Sequence, residues 1–194
     1  MYEYFDGKLT YIAPTHVILD VGGIGYYLHI SLTTYSQIKD LKECKLYASH
    51  QVREDSQTLY GFATEVERHL FHHLISVSGI GPNTGRMMLS SITPEEIQSA
   101  IINAQVNVIQ KIKGIGPKTA QRVILELQDK LKKQGPNALI PTIISQPSAV
   151  DEALSALIML GFPKPQAEKA LQTISLAEPD ANVEQLIKAA LKRL

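Results

Sequence analysis

The chain has 194 residues, with 19 Lys and Arg against 19 Asp and Glu, so its formal net charge is zero. That balance excludes a nonspecific polyanion coat, which needs a basic excess over the whole surface. Apolar residues make up 44% of the sequence, enough for ordinary globular cores and too many for a disordered chain. One cysteine, Cys44, admits neither an internal disulfide nor a cysteine-rich zinc site, which fits a reducing compartment and a buried thiol acting as a small hydrophobe. The first eleven residues carry Glu3, Asp6 and Lys8 among aromatics, unlike a signal peptide, and no apolar run of about 18 residues follows. A soluble, cytoplasmic protein without membrane contact is expected.

In chain order, strand-like runs at 15–21 and 26–30 flank Gly22-Gly23-Ile24-Gly25 as a hairpin would. Runs at 45–52 and 58–62 lie on either side of the polar stretch Arg53-Glu54-Asp55-Ser56-Gln57. About five strands between Lys8 and Phe62 predict a small closed barrel of the OB type, since closure removes exposed sheet edges. The glycine cluster reads as a turn and not as a phosphate loop, because no helical pattern follows it. From Glu65 the period becomes helical, with Leu70, Phe71, Leu74, Ile75 and Val77 on one face and Val108, Ile109, Ile112, Val123, Ile124 and Leu127 on later ones. Thr93-Pro94-Glu95-Glu96 has the form of a helix start, a capping hydroxyl followed by proline and acids.

Residues 135–148 contain Pro136, Pro141 and Pro147 and no charge, and read as a flexible linker spanning about 20 Å as a coil. Beyond it, three amphipathic stretches separated by Gly161-Phe162-Pro163 and Glu178-Pro179-Asp180 predict a compact three-helix bundle. The expected fold class is therefore a multidomain α+β protein. It comprises a barrel over 1–64, an all-α domain over 65–134, the linker over 135–148 and the bundle over 149–194.

Neutrality is a sum over unlike segments. Residues 1–64 hold five basic and seven acidic side chains, residues 65–135 nine and six, and residues 136–194 five and six. The basic excess sits in the segment that carries an internal repeat. Gly79-Ile80-Gly81-Pro82-Asn83-Thr84 recurs 35 residues later as Gly114-Ile115-Gly116-Pro117-Lys118-Thr119, identical at five of six positions. Helix, Gly-Ile-Gly turn, helix is a helix-hairpin-helix unit, and two in tandem make one five-helix domain. Glycines let a phosphate approach the main chain, the isoleucine plugs the core, and the next helix starts with free N–H groups and a positive end. Such a site grips the sugar-phosphate backbone without reading bases. The residues assigned to phosphate binding are Gly79, Gly81, Asn83 and Thr84 with Arg86 as helper, and Gly114, Gly116, Lys118, Thr119 and Arg122. Lys118 and Arg122 share one helix face and flank one phosphate.

At this point the chain resembles the RuvA family of Holliday-junction-binding proteins over essentially its full length. The resemblance rests on Gly7-Lys8-Leu9, Val21-Gly22-Gly23-Ile24-Gly25-Tyr26, Val52-Arg53-Glu54-Asp55 and Leu59-Tyr60-Gly61-Phe62. Both Gly-Ile-Gly hairpins, Lys118-Thr119-Ala120 with Arg122, and Ala156-Leu157 with Leu160-Gly161-Phe162 complete it. It implies a homotetramer with the barrels at its centre, holding a four-way DNA junction open and square-planar. It further implies recruitment of the hexameric RuvB ATPase for branch migration in recombination and repair, and the RuvC resolvase in a larger complex. No catalysis and no cofactor are implied for this subunit. The family's acidic pin carries over to Glu54 and Asp55, whose carboxylates would repel phosphates at the centre. Motor docking carries over to Leu157, Leu160 and Phe162. Two departures stand out: many members carry lysine at the positions of Asn83 and Pro117, so fewer cations should flatten the salt dependence of binding.

The rival readings are weaker. His69, His72 and His73 share a helix face as metal ligands would, with only Glu65 nearby as a carboxylate, and a solvated face explains them better. An RNA- or single-strand-binding scaffold would expose strand aromatics, yet Tyr26, Tyr27 and Tyr47 alternate as core or interface residues do.

Overall fold

In a computed structural model, residues 2–134, 148–177 and 181–194 are described. The chain divides into two compact units, residues 1–141 and 142–194. The expected linker at 135–148 falls, except for Ser148, outside the described residues.

The first unit opens with strands β1 (Tyr4–Ala13), β2 (His16–Val21) and β3 (Ile24–Ile30), helix α1 (Leu32–Ile38), and strands β4 (Glu43–Val52) and β5 (Gln57–Phe62). They close as β1-β2-β3-β5-β4, the five-stranded barrel that the sequence predicts. The Gly22-Gly23 turn joins β2 to β3 in register, Val21 opposite Ile24. Strand β1 serves two neighbours: Tyr4 to Lys8 pair with β4, and Lys8 onward pairs with β2. Gly7 sits where β1 passes between them, and a Cβ there would lie 2.1 Å from the Asp20 carbonyl oxygen. Only glycine fits that approach. Inward side chains alternate along the strands, with Phe5, Val17, Leu19, Leu28, Ile30 and Leu46 buried together and Ile38 of α1 closing one end. Helix α1 lies between the runs at 26–30 and 45–52, in a stretch to which the sequence analysis assigns no element; Ser31 caps it by accepting from the Thr34 N–H. Burial pushes the Cys44 thiol up to about 11, in keeping with a protonated, partly buried hydrophobe.

Five helices follow, as the tandem repeat predicts: α2 (Glu65–Ile75), α3 (Pro82–Ser91), α4 (Pro94–Ile102), α5 (Val106–Gln110) and α6 (Pro117–Gln134). Thr93 caps α4, and Glu96 completes a reciprocal capping box. The barrel and the helices after it belong to one compact unit. The reason is a continuous joint. Tyr60 and Phe62 of β5 pack into the helical core against Phe71. Glu67 of α2, fully buried, accepts from the hydroxyls of Ser31 and Thr34, and the Thr34 hydroxyl in turn accepts from the Ala63 N–H. The Thr33 hydroxyl donates to the Leu89 carbonyl at 2.7 Å, and the Leu32 N–H to the Ser90 hydroxyl at 3.0 Å. Desolvation raises the Glu67 carboxyl above its usual value, partly offset by these donors.

The second unit comprises α7 (Ala149–Met159), α8 (Lys164–Ala177) and α9 (Val183–Leu191), packed around Ala153, Leu157, Leu171, Ile174 and Leu186. This is the three-helix bundle of the sequence analysis.

Candidate nucleic-acid interface

The repeat produces the same geometry twice. Gly79 and Gly114 adopt φ of 94° and 88°, values that side chains rarely tolerate. The Ile80 and Ile115 N–H groups each donate back three residues at 3.0 Å, to Val77 and Ile112. Both isoleucines are buried, 4% and 5% exposed, and anchor the turns as predicted. The next helix then starts identically, with Gly85 N–H to Gly81 O and Ala120 N–H to Gly116 O at 2.9 Å. Helix α3 has no side-chain cap, and Pro82 at its first turn brings no N–H. The Asn83 and Thr84 N–H groups are left as outward donors at a positive helix end.

Side chains around the two turns diverge. At the second, Lys118 is exposed and Thr119 half-buried, and no side chain crowds Gly114 or Gly116. Arg122 is exposed on the same helix; its Nη1 donates to the Ser78 carbonyl at 3.1 Å, tying the second hairpin to the loop of the first. Its Nε stands 4.0 Å from Glu126. At the first hairpin Thr84 is half-buried, and the exposed Asn83 accepts from the Tyr60 hydroxyl at 3.2 Å. Arg86, read from sequence as a phosphate helper, turns the other way. Its Nη1 donates to the carbonyls of Thr15 and Ile30 at 3.0 and 3.3 Å, so the guanidinium fastens α3 to the barrel. The Thr15 carbonyl just ahead of β2 and the Ile30 carbonyl at the end of β3 lie within reach of it.

Glu54 and Asp55 are exposed in the turn between β4 and β5, which the Arg53 N–H closes on the Ser56 carbonyl at 2.8 Å. Beside this turn a cleft of about 190 Å³ runs between barrel and first hairpin, lined by Gln51, Arg53, Thr58, Tyr60, Gly81 and Asn83. Sequence reasoning missed Arg53, Gln51 and Tyr60 here, because their nearness to Gly81 is set by the joint and not by spacing. Burial raises the Tyr60 phenol above its ordinary pKa, opposed by the charges of Arg86 and Arg53.

Among the described residues no group of three or more His, Cys, Asp or Glu side chains is placed to hold a metal ion. Partial desolvation, then the neighbouring Arg68 charge, hold the His72 imidazole below its usual value. Likewise no helix of the described residues is long and apolar enough to cross a membrane.

In the bundle, Leu160 is 61% exposed at the end of α7, and Phe162 is half-buried against the core. Leu157 is fully buried, a core residue that shapes the surface without reaching a partner. The exposed neighbours of Leu160 are Ile158 and Met159, the latter 88% exposed, which the sequence analysis does not assign to docking. The reversal at Gly161, φ of 98°, sets their direction and leaves no periodic signature.

Three family models match the chain: the RuvA N-terminal domain over residues 1–61, a SAM-like helix-hairpin-helix tandem over 71–129, and the RuvA C-terminal domain over 148–194. Relatives named Holliday junction branch migration complex subunit RuvA align along the whole chain. That of Bacteroides fragilis is 45% identical over 203 residues, covering all of both chains. Those of Cytophaga hutchinsonii and Christiangramia forsetii are each 48% identical, covering 99% and 100% of both chains. With barrel, paired hairpins and terminal bundle all matched in order, the chain belongs to the RuvA family.

Proposed function

We propose that this chain binds four-way DNA junctions by their shape and not their sequence, as the DNA-binding subunit of a branch-migration complex. The observation that carries this reading is the pair of Gly-Ile-Gly turns with matching glycine φ values and backbone hydrogen bonds, each opening a helix, in one unit with a barrel that presents an acidic turn. Backbone N–H groups at Asn83, Thr84 and Thr119, with Lys118 and Arg122, hold phosphates along the arms. In a homotetramer, four copies of Glu54 and Asp55 meet at the centre, repel the phosphate chains and keep the crossover open. The motor is a separate RuvB-type ATPase that docks on the exposed apolar turn Ile158-Met159-Leu160 beside Phe162, with a RuvC-type resolvase joining the assembly in the cytoplasm. The subunit itself performs no chemistry.

A gel-shift series across salt, with a four-way junction, linear duplex and single strand of matched sequence, tests the reading. The junction is bound most tightly if it holds; equal affinity for duplex, or preference for single strand, overturns it. Removing residues 149–194 should leave junction binding intact and abolish stimulation of the ATPase, and loss of junction binding would refute that division of labour.

A further inference from the structure

The two hairpins differ where charge counts. Across the 35-residue repeat, Lys118 and Arg122 of the second correspond to Asn83 and Met87 of the first. Met87 is 42% exposed, so an apolar side chain occupies the surface where the second hairpin places a guanidinium. The first turn therefore offers the same backbone donors without a cation of its own at either position.

A cation stands beside it from another element. Arg53 leaves the end of β4 toward the hairpin, and a Cβ on Gly81 would lie 3.9 Å from its Nη2. Arg53 is exposed, and among the described residues no carboxylate forms an ion pair with its guanidinium. Arg53 and Gly81 face one another across the cleft of about 190 Å³. At its floor the Tyr60 hydroxyl donates to Asn83 Oδ1, which leaves the two amide N–H bonds of Asn83 as donors. The cleft thus gathers a guanidinium, a side-chain amide and a helix start, all hydrogen-bond donors, with the fork geometry that suits two phosphate oxygens.

We propose that Arg53 is the cation of the first hairpin, and that the cleft between the β4–β5 turn and Gly81–Asn83 takes one backbone phosphate of the DNA. This rests on the junction-binding reading above and adds to it a composite site built by two domains. Arg53 directly precedes Glu54 and Asp55, so one short turn attracts a phosphate at its base and repels phosphates at its tip. A strand arriving at the centre is held and deflected within a few residues.

The test is a salt titration of the full-length chain on a synthetic four-way junction and a matched duplex, with circular dichroism and a thermal melt as fold controls. Arg53→Ala should weaken junction binding about tenfold and lower the slope of log affinity against log salt by about 0.9 for each protomer whose cleft is occupied. Asn83→Lys added to Arg53→Ala should restore the slope, because a lysine at the repeat position then supplies the missing charge. Arg53→Lys should keep the slope and lose part of the affinity with the bidentate geometry. An unchanged slope in Arg53→Ala overturns the proposal, as does a loss that Asn83→Lys fails to restore. A wild-type chain without junction preference defeats the junction reading instead, and the Arg53 slope is then still decided on duplex.

Discussion

The first and second hairpins share five of six turn residues, near-equal glycine φ values and equally buried isoleucines, yet stand in different surroundings. The first is built into the barrel: Arg86 grips barrel carbonyls, Tyr60 meets Asn83, and Arg53 faces Gly81. The second is open to solvent and carries its own cations, Lys118 and Arg122. A repeated turn fixes the backbone donors, while the charged side chains beside it differ: the second turn has them on its own helix, and the first has Arg53 across from it on the barrel.

Substituting the anchors would break this equivalence most severely. Ile80→Ala and Ile115→Ala should each cost about 3 kcal/mol in chemical denaturation, since each leaves a cavity in the same core. A difference between them beyond about 1 kcal/mol would mean that the barrel stiffens one turn and that the two are not equivalent in packing. Asymmetry should instead appear one turn later. Arg86→Ala should lose about 1 kcal/mol, since the Ile30 carbonyl gives up its guanidinium donor while the Thr15 carbonyl keeps the Ile30 N–H, whereas its repeat counterpart, exposed Gln121, should tolerate alanine within about 0.5 kcal/mol.

The smallest effect is set by pH. Desolvation, with the Arg86 and His16 charges, holds the His29 imidazole on β3 below its usual value. A depressed imidazole contributes stability that is present above about pH 6.5 and is lost as pH falls through the lower folded-state value. The melting temperature should therefore decline on mild acidification, with His72 acting in the same sense. His29→Gln should make that decline shallower, and an unaltered profile would show that His29 does not carry the acid sensitivity. Glu67 acts oppositely, its raised carboxyl costing stability as pH climbs through the folded-state value.

Much of the architecture was legible in the sequence, for identifiable reasons. Alternation over 15–30 around Gly22-Gly23, the Thr93 cap and the repeated Gly-Ile-Gly are local signals, and each element appears where its signal lies. What escaped was contact between distant segments. Helix α1 is short and weakly periodic and owes its position to Ser31, Thr34 and the distant Glu67. Arg86 looked like a surface cation because no pattern in its own helix announces the carbonyls of Thr15 and Ile30. Arg53 was noticed only as the neighbour of two acids, since its proximity to Gly81 depends on how the barrel seats against α3. Ile158 and Met159 escaped for a local reason: at the end of α7, beside the reversal at Gly161, apolar periodicity no longer tells which side chains are covered.

The hydrogen bond from Arg122 to the Ser78 carbonyl bears on how far apart the two grips stand. A guanidinium owns five N–H bonds in a rigid plane, and Ser78 takes one. The Nε edge faces Glu126, which leaves three N–H bonds on the two terminal nitrogens; on the proposed reading, the side chain that sets the spacing of the two turns would also keep donors for an arriving oxygen.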